Sequence, residues 1–375
     1  MKKNIGIFST KQGHQSIAEA IKEKIEKEAG DRYQVHIYYT KQPFSLIYNS
    51  IYRLAPKAFD RPYEFSVNMI KNHAELNKLV SVFFLKSTYQ SCIRFIKEKN
   101  IDVVINTFFY FQPALEKIKQ KKNIPYINAI ANPRTIHPFE LSPKAEINLF
   151  FDKENLTKYQ KKCLAKAAGW FVGERFEREY RKEEIKKKLK IKTAINFLIV
   201  SGSEGSTAVL KILPALINCQ KPLQVFVACG HNKTLYNNVL GIQKSLAAFS
   251  QSKAIITPLK FTKKIHLYMQ AADLIIGKAG PNTLFESVAT VTPFFAITHL
   301  AQEEGNLEII QEYQLGYVEE KVKAANKKIL DIINQPQQLE KFHKHLLNLK
   351  AYNQQSAQIL IKKIDQIFKN KLKNK

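Results

Sequence analysis

Residues 197–207 read Phe197-Leu198-Ile199-Val200-Ser201-Gly202-Ser203-Glu204-Gly205-Ser206-Thr207. A short, unbroken apolar run followed at once by a glycine- and hydroxyl-rich turn is the pattern of a strand buried on both faces, as in a parallel sheet. Such a turn at the carboxyl end of a strand, opening into a helix, offers backbone N–H groups to phosphate. It carries no P-loop lysine and does not fit G-x-G-x-x-G, so no ATPase signature is present.

The same alternation extends in both directions. Upstream, Ile5–Phe8, Gln34–Tyr39, Ile101–Asn106 and Pro125–Ala131 read as strands, and Ile17, Ala18, Ile21 and Ile25 recur at helical spacing. Downstream, Leu223–Cys229, Asp273–Ile276 and Pro293–Ile297 repeat the buried-strand pattern. Strands alternating with helices predict an α/β architecture with parallel sheets covered by helices. Each half opens on a strand and a glycine turn, so two Rossmann-like domains are expected. The 375 residues allow two domains at about 150 residues each. Glu177–Lys192 is dense in charge and free of Gly and Pro, and reads as a solvated helix or linker between the halves.

Composition excludes several classes. Cys92, Cys163, Cys219 and Cys229 lie far apart with no C-x-x-C and no histidine at metal spacing, which speaks against a disulfide scaffold or a zinc ribbon. No apolar run reaches the ~20 residues of a membrane span, and the first residues lack a signal-peptide h-region, so a cytoplasmic protein is expected. The net charge of +27 favours polyanionic surfaces or phosphates, although lysine is spread along the whole chain. No RNA- or DNA-binding motif accompanies it, and nucleic acid is not expected as a partner. Residues 44–96 interleave Phe44, Tyr48, Tyr52, Phe59, Phe65, Phe83 and Phe84 with Arg53, Lys57, Arg61 and Lys78. Two readings stay open for this segment: amphipathic helices lying in a membrane interface, or a helical insertion packed on the sheet.

Four motifs can carry chemistry. Gly13-His14 follows the first strand, where glycine permits a tight turn and histidine can act as a base or donor near neutral pH. The 201–207 turn is the second. The third, Gly277-Lys278-Ala279-Gly280-Pro281-Asn282-Thr283-Leu284-Phe285-Glu286, follows a strand and opens a helix. Glu286 can accept both hydroxyls of a ribose, or serve Thr283 in a capping box. The fourth, Gln302-Glu303-Glu304-Gly305-Asn306, gathers amides and carboxylates suited to sugar hydroxyls, or to a polar helix cap.

Taken in order, these motifs resemble the monogalactosyldiacylglycerol synthases and the processive diacylglycerol glucosyltransferases, with the lipid I N-acetylglucosaminyltransferase a more distant relative. The resemblance covers most of the chain. It is most specific over Ala272–Asn306, then over Tyr48–Tyr63 and Thr135-Ile136-His137-Pro138. It implies the GT-B fold, two Rossmann-like domains with parallel sheets facing a central cleft. The first, 1–178, would bind acceptor and membrane; the second, 193–345, would bind the nucleotide sugar; 346–375 would form a helix with a basic tail. It implies hexosyl transfer from a UDP-sugar to a lipid such as diacylglycerol, with no metal or cofactor, by a protein held peripherally on the anionic inner face of the cell membrane.

By the same resemblance Gly202, Ser203 and Gly205 lie against the diphosphate, Gly280 and Thr283 line the next phosphate loop, and Glu286 holds the ribose. Gln302, Glu303 and Asn306 sit near sugar and phosphates, and Phe261 near the base. Gly13, Tyr52, Arg53, Lys57 and Arg61 belong to the acceptor and membrane side. The chain departs from the family at His231, where arginine is usual, at Lys260 before Phe261, where glycine is usual, and at the single glycine of the first loop. The plant enzymes' aspartate upstream of His-Pro is replaced by Asn132, an amide that cannot take a proton. His14 is therefore the first candidate base and His137 the second. The rivals are a UDP-sugar epimerase on the same fold and a non-catalytic membrane-binding subunit.

Overall fold

The computed structural model describes residues 2–11, 13–40, 65, 67–69, 72–202, 205–217, 219–249 and 251–373. Tyr52, Arg53, Lys57, Arg61 and Ser203 lie outside the described residues. The chain divides into two compact units. The first runs through Glu174 and takes the chain back from Ala351; the second is Arg175–Lys350.

The first unit carries a parallel sheet of β1 (Lys3–Thr10), β2 (Tyr33–Thr40), β3 (Val103–Asn106), β4 (Tyr126–Ala129), β5 (Ile147–Phe150) and β6 (Ala165–Ala167), in the order β2-β1-β3-β4-β5-β6. Helix α1 (Gly13–Ala29) connects β1 to β2 and buries Ile17, Ala18, Ile21 and Ile25 against the sheet. The long helix α2 (Ala74–Glu98) packs on α3 (Gln112–Lys122). The second unit holds β7 (Ile195–Val200), β8 (Leu223–Ala228), β9 (Ala254–Leu259), β10 (Leu274–Lys278), β11 (Phe294–Thr298) and β12 (Gly316–Val318), in the order β12-β11-β10-β7-β8-β9. Central strands are buried and mostly apolar, as in β11, where all five residues are buried, because helices cover both faces. The helices used below are α4 (Pro281–Ala289), α5 (Glu304–Glu312) and α6 (Ser356–Lys373).

Three findings refine the organisation expected from sequence. The charged stretch 177–192 contains a largely solvated helix, Lys182–Lys188, which buries Ile185 against Leu267 and Ala271, and Lys182 pairs with Asp273 at 2.7 Å. The C-terminal segment is not a separate module. Along α6, Phe368 stacks on Tyr33 at 5.7 Å, and Asp365 bonds Arg32 and Tyr33 of the first unit. Trp170 donates its N–H to Asn353 at 2.9 Å, within that same unit. Finally, β5, β6, β9 and β12 were not legible. β5, β6 and β12 are three or four residues long, and β9 is an edge strand carrying Pro258, where proline is tolerated.

In each sheet the chain reverses its direction of growth once. In the first the reversal lies between β1 and β3, and in the second between β7 and β10. Ligands of open parallel sheets bind outside the carboxyl ends of the strands at such points.

Candidate functional site

In the first unit the loops after β1 and β3 meet. His14, half-buried in the first turn of α1, directs Nδ1 to the Thr107 carbonyl oxygen at 2.9 Å. A carbonyl can only accept, so Nδ1 carries the proton and Nε2 is the lone pair. Burial lowers the imidazole's pKa to about 4, against a smaller upward pull from the Thr107 bond, so the ring is neutral at physiological pH. Its ring packs against Phe108 at a tilt of 55°, centroid to centroid 4.9 Å. Gly13 faces open space: an added Cβ would meet nothing within 4 Å.

His137 has the opposite polarity. It caps the turn Pro138–Glu140 with Nδ1, which accepts the Phe139 N–H at 3.2 Å. Its proton in the neutral ring is therefore on Nε2, which can only donate. The ring is buried and stacks on Phe109 at 4.4 Å. Glu140 accepts the His137 N–H at 3.1 Å and a bond from the Asn132 side chain. Burial outweighs these two bonds and pushes its carboxyl up to about 8.

Beside these loops α2 exposes an apolar stripe at helical spacing. Leu79 is 66% exposed, Val82 41% and Phe83 59%, with Lys78 and Lys86 exposed on either side.

In the second unit the loops after β7, β8 and β10 converge on the other reversal point. Gly202 and Gly205 both take positive φ, at 79° and 75°. At Gly205 no other residue fits, since a Cβ would fall 2.3 Å from the Cys229 carbonyl oxygen and 2.5 Å from the Asn232 Cβ. Asn232 clips this loop to the next one: its Nδ2 donates to Gly205 O at 2.7 Å, and its Oδ1 accepts Leu235 N–H at 2.9 Å. His231, the family's arginine position, stacks flat on Phe261 at 4.3 Å, and Phe261 is 51% exposed.

Helix α4 starts at Pro281 with Gly280 as its cap residue and no side-chain cap. Its start thus presents backbone N–H groups and the positive dipole end, with the Glu303 carboxylate 3.5 Å from where a Cβ on Gly280 would stand. The capping-box reading of Glu286 fails here, because Glu286 lies mid-helix and Thr283 does not cap. No described residue hydrogen-bonds the half-buried Glu286 carboxyl. Burial outweighs the pull of the Arg175 charge and raises its pKa to about 8.

Glu303 and Asn306 turn inward rather than toward a ligand. Glu303 pairs with Lys278 and accepts the Leu300 N–H at 2.9 Å. Asn306 donates to the Ala279 carbonyl at 2.6 Å. Together they brace the loop after β10 against the turn before α5, and a Cβ on Gly280 would stand 3.3 Å from the Lys278 Nζ. Gln302 and Thr283 are half-buried on the same loops. Sequence reading missed Lys278 and Asn232 as structural ties, since both need the fold to show their partners. Among the described residues no group of His, Cys, Asp and Glu is placed to hold a metal, and no helix is long and apolar enough to cross a membrane.

Two family models match successive parts of the chain. The model of the monogalactosyldiacylglycerol synthase family matches residues 14–173, and that of the glycosyltransferase family 28 C-terminal domain matches residues 196–372. The chain is 26% identical over 352 residues to a probable chloroplastic monogalactosyldiacylglycerol synthase of Nicotiana tabacum, covering 86% of this chain and 62% of that protein. It thus spans about 60% of the length of such plant relatives. It is 22% identical to the processive diacylglycerol beta-glucosyltransferase of Bacillus pumilus, covering 96% of this chain and 94% of that one. Among solved structures, MurG of Acinetobacter baumannii superposes with a TM-score of 0.62 at 17% identity, over 96% of this chain and 99% of that one. Two parallel six-stranded sheets and these neighbours give the GT-B fold.

Proposed function

We propose that this chain, which belongs to the glycosyltransferase family of the monogalactosyldiacylglycerol synthases and processive diacylglycerol glucosyltransferases, moves a hexosyl group from a UDP-sugar to the free hydroxyl of diacylglycerol. The observation that carries this reading is His14: a neutral imidazole with Nδ1–H tied to Thr107 and Nε2 left as a proton acceptor. As the acceptor oxygen attacks the anomeric carbon, Nε2 takes its proton, and the bond to the diphosphate breaks. A resting pKa of about 4 makes a weak base, and a negative charge brought close to the ring would raise it. The departing diphosphate meets the glycine turn after β7 and the start of α4. Glu286 holds the ribose diol. No metal or organic cofactor enters the proposal. His137, a donor in its neutral form, fits a role in binding rather than proton removal.

The acceptor's chains stay in the bilayer, so the first unit docks on the membrane. The exposed Leu79, Val82 and Phe83 of α2, flanked by Lys78 and Lys86, suit partial insertion beside anionic headgroups. The test is incubation of the protein with radiolabelled UDP-glucose or UDP-galactose and vesicles of dioleoylglycerol with anionic phospholipid. A labelled glycolipid is expected, and His14→Ala should lower its rate by ~10²–10⁴-fold with UDP affinity unchanged. Epimerised or hydrolysed UDP-sugar with no labelled lipid would overturn the proposal.

A further inference from the structure

Three buried asparagines stand side by side on neighbouring strands of the first sheet. Asn106 of β3 pairs in register with Asn128 of β4, and Asn128 with Asn148 of β5. All three are at most 2% exposed. Asn106 Nδ2 donates to Asn128 Oδ1 at 3.0 Å, and Asn128 Nδ2 donates to Asn148 Oδ1 at 2.9 Å. Asn148 Nδ2 ends the row on the Ser142 carbonyl at 2.8 Å. Every amide in the row points the same way. The direction is forced, because a terminal carbonyl accepts only and each amide must then turn its oxygen toward the rung before it.

That leaves Asn106 Oδ1 at the head of the row, where it accepts the Phe108 N–H at 3.3 Å. Asn106 is the last residue of β3, and Thr107 lies between the two ends of this short bond. Holding the 108 amide fixes the peptide plane on which the Thr107 carbonyl points at His14 Nδ1. Thr107 is pinned from its other side, through its N–H and hydroxyl, by the Phe8 carbonyl at 3.0 and 3.2 Å. We propose that Asn106, oriented by Asn128 and Asn148, is a positioning residue that sets the tautomer of His14. The row uses only neutral groups, so it directs the proton to Nδ1 without placing a charge beside the imidazole.

The inference rests on the reading of His14 as the base, but its first readout does not. ¹⁵N NMR of the histidine ring in the full-length protein distinguishes Nδ1–H from Nε2–H directly. In the wild type His14 should be almost wholly Nδ1–H. Asn106→Ala should give a mixture of tautomers. Asn106→Ser, whose hydroxyl can still accept the Phe108 N–H, should restore the wild-type pattern. Asn148→Ala breaks only the far end of the row, two hydrogen bonds from Asn106, and should shift the tautomer far less than Asn106→Ala does. Glycolipid synthesis should fall about ten- to hundredfold in Asn106→Ala, the scale of a misplaced catalytic group, with the UDP-sugar KM within twofold. If Asn106→Ala does not fold, Asn128→Ala, which frees Asn106 to rotate, is read in the same way. An unchanged tautomer in these variants, or an equal change in Asn148→Ala, overturns the inference. A wild type that is Nδ1–H yet makes no glycolipid overturns the functional reading and leaves the positioning role standing.

Discussion

UDP binding should take up Glu286 in one protonation state only. Its carboxyl has a pKa of about 8 because burial disfavours the charge, and no described residue offers it a hydrogen bond. The two ribose hydroxyls donate best to the ionised form, so binding pulls the group's pKa down and releases a proton. The complex holds fewer protons than the free protein, and affinity must therefore rise with pH. With a pKa of about 8, about one molecule in ten is ionised at pH 7, which costs binding about 1.4 kcal/mol. Affinity should rise about ninefold between pH 6 and 7, about five- to sixfold more to pH 8, and only about twofold more to pH 9. Isothermal titration with UDP at pH 6, 7, 8 and 9, in two buffers of different ionisation enthalpy, reads both affinity and protons released. About 0.9 proton should leave per UDP at pH 7. Glu286→Gln keeps the shape and has no proton to lose, so its remaining slope reports the ionisation of UDP alone. Equal slopes in wild type and Glu286→Gln would refute the assignment of this carboxyl to the ribose.

Two further outcomes test the site's supports. Gly205→Ala places a methyl against the Cys229 carbonyl on a left-handed backbone, which costs about 1–2 kcal/mol for the conformation alone; urea unfolding should show at least that loss and UDP affinity should drop, whereas Gly13→Ala, which meets open space, should change neither. Leu79→Ser with Phe83→Ser removes two exposed side chains worth about 1.5–3 kcal/mol each when buried in lipid; sedimentation with anionic vesicles should weaken by about hundredfold or more while the unfolding midpoint stays, and undiminished sedimentation would remove α2 as the docking face.

The central strands of both sheets were legible because a parallel strand buried on two faces is an unbroken apolar word. Leu274–Ile276 and Phe294–Ile297 admit few other readings. The strands that escaped notice are short or at an edge, where one neighbour is missing and the apolar demand falls. The site divided in the same way. Gly205 and Glu286 were nameable from their place after a strand, since glycine turns and helix starts are local matters. Glu303 and Asn306 were nameable but their direction was not: each faces a partner, Lys278 or the Ala279 carbonyl, about 25 positions away in sequence, and only the sheet's register brings them together. The asparagine row was wholly hidden. Asn106, Asn128 and Asn148 stand about 20 residues apart inside apolar runs, where each alone reads as a polar interruption of a strand.

The two reversal points use one structural device for different electrostatic ends. Around His14 every partner is neutral: a carbonyl oxygen, an aromatic ring and, behind them, amides. A carboxylate in place of Asn106 or Asn128 would satisfy part of the same geometry, yet its charge would stabilise the imidazolium and raise the histidine's pKa, taking away the free Nε2 that proton removal needs. Neutral amides orient the ring and leave its basicity open to any negative charge brought close. Around the loops after β7 and β10 charge is present but cancelled, since Lys278 is held by Glu303. An anion arriving there meets backbone N–H groups and the start of α4 before it meets a free lysine, and the lysine's ammonium serves to hold the loop. On this reasoning Lys278→Met should damage the loop's order and UDP affinity together, by leaving Glu303 buried without its partner, and Lys278→Met with Glu303→Leu should recover much of both. Affinity that falls equally in the single and the double variant would show instead that the lysine itself meets the phosphate.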